Sequence, residues 1–167
     1  ISRVREAGVV GLGGAGFPTS VKLQTHPGEK IEEIIINGAE CEPFLTSDQV
    51  SMETYPEKVV TGCLIAMQAM DAPKGYIGIE DNKPNAIEAV KNACANVPNV
   101  EVAVLKTKYP QGDQKRIVQA ITDKVIPSGA HGTAIGVQVF NASTAIAITD
   151  AVVYGKPLYE KVVTMTG

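Results

Sequence analysis

Short apolar runs that stop at turn residues, each followed by a stretch with helical spacing, recur along this chain and restrict its fold more than any other feature. Residues 33–37 (Glu-Ile-Ile-Ile-Asn) are such a run, ended by Gly38, the pattern of a strand buried on both faces. Residues 56–70 follow as a predicted helix, with Pro56 in its first turn, Val59, Val60, Cys63, Leu64, Met67 and Met70 at helical spacing, and Pro73 as its stop. The alternation continues with a strand at 75–80, a helix at 84–95, a strand at 100–106 and a short helix at 113–122 whose inner face is Ile117, Val118 and Ile121. A Pro/Gly/His-rich loop at 127–132 leads to a strand at about 135–140 and a helix at 142–154, stopped by Gly155-Lys156-Pro157. Residues 160–166 read either as a further strand of the sheet or as the start of a following domain. Strands separated by helices predict an α/β fold, a parallel sheet flanked by helices.

Size and charge fit one such unit. The chain has 167 residues, 44% of them hydrophobic, enough for one core. Fifteen basic against eighteen acidic side chains, interspersed, with 5% aromatic residues and no Trp, argue against a nucleic-acid partner. No apolar run is long enough to predict a membrane-spanning helix, so direct membrane insertion is not expected. Three cysteines (Cys41, Cys63, Cys94) lie far apart without zinc or iron–sulfur spacing. Cys63 and Cys94 fall on apolar helix positions, and the compartment reads as reducing.

In a parallel sheet, ligands sit beyond the carboxyl ends of the strands. The residues that follow the predicted strands there are Asn37, Glu40 and Glu42, then Glu80-Asp81-Asn82, then Tyr109 to Asp113, then Asn141. A second candidate is Gly11-Leu12-Gly13-Gly14-Ala15-Gly16, which matches G-x-G-x-x-G. Only Gly8-Val9-Val10 precedes it, and Pro18 stands where a helix would already run, so the usual dinucleotide turn is not expected. Glycines at this density still permit backbone N–H groups to approach a ligand closely, with Lys22 as a phosphate partner. Glu40 and Glu42 could serve acid–base chemistry or accept hydrogen bonds from ribose hydroxyls or an amide. No His stands beside them, and neither His26 nor His131 has a Ser or Cys partner at a hydrolytic spacing. Cys41, between two carboxylates, is a poor nucleophile, because a thiolate there faces like charge.

Four motifs, in order, resemble the Rnf C subunit family. They are Gly11-Leu12-Gly13-Gly14-Ala15-Gly16-Phe17-Pro18-Thr19, Asn37-Gly38-Ala39-Glu40-Cys41-Glu42-Pro43-Phe44, Gly78-Ile79-Glu80-Asp81-Asn82-Lys83-Pro84 and Lys106-Thr107-Lys108-Tyr109-Pro110-Gln111-Gly112. The chain is more distantly similar to the flavin-carrying NADH subunit of respiratory complex I. The resemblance implies a Rossmann-like α/β domain of the complex I flavoprotein type. Such a domain binds FMN non-covalently, takes a hydride from NADH or returns it, and passes electrons singly to iron–sulfur clusters. In relatives a β-grasp-like domain and a cluster domain follow. Residues 1–167 are therefore expected to be a single FMN/NADH-binding domain, a fragment of a longer electron-transfer protein, with iron–sulfur clusters only in regions outside it.

Carried over by position, the resemblance has Gly11, Gly13, Gly14 and Lys22 line FMN, with Asn37 and Glu40 bonding it from the strand end. Asp113 stands at the flavin edge, and Asn141 and Thr144 approach the phosphate at a helix start. Phe17 packs near the adenine of NADH and Glu42 meets its nicotinamide side. No catalytic side chain and no metal ligand are implied. The chain reads Pro110-Gln111-Gly112-Asp113-Gln114-Lys115 where members of the Rnf family usually read Pro-Gln-Gly-Gly-Glu-Lys, so a carboxylate is kept one position away. The family implies other subunits of an electron-transfer complex as partners, and a cytoplasmic location, peripheral to a membrane through those partners. It also includes soluble systems, such as the electron-transfer protein of D-proline reductase and cobalamin reductases of microcompartments. Two other readings are a cofactor-free docking module of an Rnf-C-like complex and an NAD-binding domain without flavin.

Overall fold

The computed structural model describes residues 1–166. A short helix α1 (Ser2–Glu6) leads through the glycine segment to a one-turn helix α2 (Thr19–Lys22) and into strand β1 (Glu33–Gly38). Then follow α3 (Ser47–Thr54), α4 (Pro56–Met70), β2 (Lys74–Glu80), α5 (Pro84–Cys94), β3 (Val100–Leu105) and α6 (Gln114–Thr122). A 3-10 turn (Gly132–Ile135), β4 (Val137–Asn141) and α7 (Ala142–Val153) complete the order.

The four strands form one parallel sheet in the order β3-β2-β1-β4. In β1, Ile35 lies opposite Tyr76 of β2 and Val139 of β4. Alternation of side chains along β1 sends Ile34 and Ile36 into the larger core with α4, α5 and α7, and Ile35 into a smaller one with Ile117 and Val118 of α6. Burial on both faces is why β1 is a continuous isoleucine run.

Helix ends follow local chemistry. Pro56 occupies the first turn of α4, where its missing N–H is not needed. The Asp113 carboxylate accepts from the backbone N–H groups of Lys115 and Arg116 and caps α6. Asn141 Oδ1 accepts from the Thr144 N–H at 3.2 Å and caps α7. Glycines set two close approaches. Gly75 faces Cys63 and Met67 of α4, and a Cβ there would lie 2.6 Å from the Cys63 sulfur. At Gly62 a Cβ would lie 2.1 Å from the Ala145 carbonyl oxygen, so α4 and α7 touch backbone to backbone.

The observed elements match the expected alternation, with four differences. Helix α3 has no counterpart among the predicted helices: Ser-Asp-Gln-Val-Ser-Met-Glu-Thr has little amphipathic period, and only Ser51 and Met52 are buried. The short helices α1 and α2 are likewise unmarked by any apolar stripe. The last strand begins at Val137 rather than 135, because Gly132–Ile135 winds into a 3-10 turn ended by Gly136 in a left-handed conformation. Residues 160–166 add no strand to the sheet; they run as irregular chain beside the glycine segment, where Lys161 Nζ donates to the Leu12 carbonyl at 3.3 Å.

Placing a methyl at the α4–α7 contact must push two helices apart. Gly62→Ala should lower stability by about 2 kcal/mol or more, read as a lower urea midpoint with an unchanged slope.

Candidate functional site

Strand β1 lies between β2 and β4, so the chain moves from β1 outward through β2 and β3 and then returns to β1's other side. The crevice beyond the carboxyl ends of β1 and β4 is therefore a topological switch point, the place where open α/β sheets take ligands. Two clefts meet there. The larger, about 530 Å³, is walled by Gly13, Gly14, Asn37, Glu40, Asp48 and Asn141 among others. The smaller, about 190 Å³, has Gly11, Phe17, Lys22, Gln114, Phe140 and Thr144 in its walls. Gly13, Asn37, Gly112 and Asn141 line both.

The glycine segment is a closed loop rather than a strand-to-helix turn. Gly11 N–H donates to Phe17 O at 2.8 Å, Thr19 N–H donates to Val9 O at 3.0 Å, and Val10 pairs with Pro18 across its neck. Pro18 thus precedes α2 instead of breaking it. Thr144, on α7, accepts at Oγ1 from the Leu12 N–H at 2.9 Å and ties the loop tip to the helix start. Packing there is tight: a Cβ on Gly13 would lie 3.1 Å from Cβ of Asn141. Gly14 and Gly16 have φ of +129° and +63°, conformations that favour glycine.

Behind β1 the chain spends its polar groups on holding loops. Asn37 Nδ2 donates to Gly112 O at 2.9 Å and its Oδ1 accepts from the Ala39 N–H at 3.0 Å, joining the loop after β1 to the loop before α6. Glu40 is buried, and its carboxylate accepts from Ser47 Oγ (2.9 Å), the Asp48 N–H (3.0 Å) and the Gln49 N–H (3.2 Å). Glu40 thus supplies the anionic cap that the first turn of α3 lacks locally. Lys83 Nζ, almost fully enclosed, bonds Glu80 Oε2 at 3.1 Å, Asn82 Oδ1 at 3.1 Å and the Glu40 carbonyl at 3.3 Å. Thr107 donates its N–H and hydroxyl to Asp81 Oδ1, closing the end of β2 onto the loop after β3.

The candidate cluster read along the strand ends therefore divides. Glu80, Asp81 and Asn82 are consumed in these structural bonds and lie off the two main clefts. Asn37, Glu40, Glu42, Asp113 and Asn141 line the larger one. Lys22, Phe17, Gly11 and Thr144, which the family resemblance assigns to the site, lie together in the smaller cleft. Phe17 is 52% exposed. Burial pushes the Lys22 ammonium below the usual lysine value, and its Nζ lies 5.1 Å from the Phe140 ring centroid. No carboxylate among the described residues pairs with it within ion-pair distance. A half-buried cation without a counter-charge, facing a cleft lined with bare backbone, suits an anionic ligand.

One residue of the larger cleft carries no sequence mark as a flavin contact. Asp48 Oδ2 accepts from Asn141 Nδ2 at 2.6 Å and Oδ1 from Ser143 Oγ at 2.5 Å. Its one sequence signal is its nearness to Glu40 and Glu42 along the chain. Among the described residues no cluster of His, Cys, Asp and Glu is arranged to hold a metal ion. The cysteines are free; burial pushes the Cys63 thiol up to about 12, and Cys41 borders the larger cleft. No helix among the described residues is long and apolar enough to cross a membrane.

A glycine loop, a helix start and an unpaired lysine around the switch point of a parallel sheet are features of α/β domains that take anionic ligands. Comparison with known proteins narrows this. Residues 4–150 match the family described as the Nuo51 FMN-binding domain. The chain is 49% identical over 164 residues to the C subunit of the Na(+)-translocating ferredoxin:NAD(+) oxidoreductase complex of Acetobacterium woodii, covering 98% of this chain and 37% of that one. It is 48% identical over 164 residues to the C subunit of the proton-translocating ferredoxin:NAD(+) oxidoreductase complex of Clostridium ljungdahlii, covering 98% and 36%. Among solved structures, an NAD+-reducing NiFe-hydrogenase in its H2-reduced state superposes with a TM-score of 0.70 at 26% identity, over 90% of this chain and 30% of that chain. The chain belongs to the Nuo51 FMN-binding domain family and, within it, to the Rnf C subunit family. It spans about a third of the length of these curated relatives.

Removing one partner of the enclosed Lys83–Glu80 pair strands the other. Lys83→Met should cost about 3 kcal/mol in urea unfolding, and adding Glu80→Leu should restore much of it.

Proposed function

We propose that this chain is the flavin-binding module of an electron-transfer subunit of the Rnf C type, holding FMN at the β1–β4 switch point and exchanging a hydride with NADH. The observation that carries this reading is Lys22, a desolvated ammonium without a carboxylate partner in a glycine-lined cleft. The residues present fit FMN. The larger cleft, at about 530 Å³, is within the usual range of about 300–1,000 Å³ for small-ligand sites, and Gly14 and Gly16 have open space where side chains would stand. The family description supports FMN as the cofactor, and the relatives' names support NAD as its redox partner.

In this reading Gly11, Gly13 and Gly14 bring bare backbone to the ligand, and Lys22 supplies positive charge. Asn37 and Glu40 form the wall below it. Since the Asn37 amide and the Glu40 carboxylate already hold neighbouring loops, they fix the shape of that wall as much as they contact ligand. Asp113, exposed at the cap of α6, borders the flavin edge, and Asn141 with Thr144 marks the phosphate end at the start of α7. Phe17 and Glu42, both exposed on the rim, suit the adenine and nicotinamide sides of NADH. When bound, FMN supplies a centre that takes a hydride, two electrons and one proton, and gives electrons up singly, or runs the reverse. The protein's part is alignment and exclusion of water, with no side chain as nucleophile.

The module would pass electrons to iron–sulfur centres elsewhere in a longer protein or its complex, with other subunits of an ion-translocating oxidoreductase as partners. The relatives are nearly three times as long and are named as subunits of ion-translocating complexes, which supports a longer protein and other subunits as partners. Residues 1–167 would then be one FMN/NADH-binding domain, cytoplasmic and peripheral to a membrane through those partners.

A thermal-shift titration with FMN, then NADH, alongside the visible spectrum, tests the reading. FMN at a hundredfold excess over its dissociation constant should add about 2.7 kcal/mol of stability, and NADH without air should bleach the bound flavin. Lys22→Met should weaken FMN binding about tenfold while raising the unfolding midpoint of the ligand-free protein, because a desolvated charge is removed. No shift with FMN would sink the proposal; a shift without bleaching would leave a flavin carrier that NADH does not reduce.

A further inference from the structure

The start of α7 is where the FMN reading puts the ligand's phosphate, and a carboxylate already stands there. Asp48, in the first turn of α3, accepts from Ser143 Oγ at 2.5 Å and Asn141 Nδ2 at 2.6 Å, and the Ser143 backbone also bonds it. These are the donors a phosphate at a helix N-terminus would recruit. Burial raises the Asp48 carboxyl above the usual carboxylate range, the Ser143 and Asn141 bonds draw it partly back, and the Glu40 carboxylate raises it further. Glu42 faces the same cleft from the loop after β1, Asp113 from the cap of α6, and Lys161 from the C-terminal segment. Lys58 of α4 and Asp150 of α7 form an ion pair in the adjoining cleft. Glu40 is the carboxylate that acts on Asp48 directly, and Lys22 lines the adjoining cleft that shares Asn141, so a phosphate drawn toward Lys22 and the α7 start meets the Asp48 carboxylate as like charge.

We propose that Asp48 is a placeholder at the phosphate end of the site: its carboxylate takes up the α7 donors without ligand, and a phosphorylated ligand enters as Asp48 takes on a proton. This rests on the FMN reading. The step balances as one proton from solvent added to the Asp48 carboxylate on binding, with no electron transferred and no covalent bond to the ligand. The neutral carboxyl then donates its O–H to a phosphate oxygen while its other oxygen keeps the Asn141 amide. Asp48 acts as a specificity residue, setting the preference between a phosphorylated flavin and one without phosphate.

The sign follows from linkage. The carboxyl holds its proton to higher pH in the complex than in the free protein, so binding takes up a proton and affinity falls as pH rises between those two values. Dissociation constants for FMN and riboflavin, measured by flavin fluorescence from pH 5 to 9 on the wild-type chain and on Asp48→Asn, test this. FMN affinity of the wild-type chain should fall with pH more steeply than riboflavin affinity. At pH 8, Asp48→Asn should tighten FMN about tenfold while moving riboflavin by less than about twofold. Calorimetry of the wild-type chain at pH 7, in buffers of different ionisation enthalpy, should show net proton uptake with FMN and none with riboflavin. That readout decides the matter even where the variant folds poorly. FMN binding with no proton uptake, or an Asp48→Asn chain that binds FMN no more tightly or loses both flavins alike, overturns the placeholder and leaves the FMN reading intact. Failure of the wild-type chain to bind FMN overturns both.

Discussion

Strand β1 has a parallel neighbour on each side, and the connections to those neighbours leave in opposite directions. Crossovers through helices make that arrangement possible, since α3 and α4 carry the chain from β1 to β2 while α6 carries it from β3 back to β4. At the carboxyl ends the loops therefore part, and only there does the molecule leave clefts between loops that belong to one sheet. The glycine loop, the Glu40 loop, the loop before α6 and the start of α7 all meet at this parting. Without the return of β4 to β1, Lys22 and Asn141 would have no common cleft.

The polar side chains around the site fall into two sets. One set fastens loops to each other: Asn37 to Gly112, Glu40 to the first turn of α3, Lys83 to Glu80 and the Glu40 carbonyl, Thr107 to Asp81. These bonds have donors and acceptors matched within the protein. The other set faces the clefts with partners missing or shared, chiefly Lys22 and the Asp48–Asn141–Ser143 group. Binding chemistry belongs to the second set, while the first holds it in position.

Elements with apolar period are legible in the sequence because their burial is what orders them. The run Ile34-Ile35-Ile36 and the helical spacing of Val59, Val60, Cys63 and Met67 each report a partner surface directly. Helix α3 is not legible, because its cap comes from Glu40, seven residues before Ser47, and its own residues show no stripe. The site is half legible. Residues at strand ends can be gathered by topology alone, which brings Asn37, Glu40, Asp113 and Asn141 together. Which of them face a cleft depends on side-chain pairing, and the burial of Lys83 against Glu80 leaves no mark in a stretch that reads as solvated charge. Asp48 is hidden as a flavin-site residue for the same reason: its importance lies in bonds to Asn141 and Ser143, more than ninety residues away.

The contact at Gly62 has a mechanical side. Helix α7 is seated at Ala145 against the α4 backbone, held again where Thr149 Oγ1 donates to Lys58 O at 2.7 Å, and pinned a third time by Lys58 on Asp150 at 2.7 Å. Three anchors on one rigid neighbour leave α7 no independent travel along its axis or away from the sheet. Its first turn is accordingly a fixed post. The α3 start and the glycine segment lean on that post, through Asp48 on Ser143 and Leu12 on Thr144, so the width of the cleft between them is measured from a fixed reference.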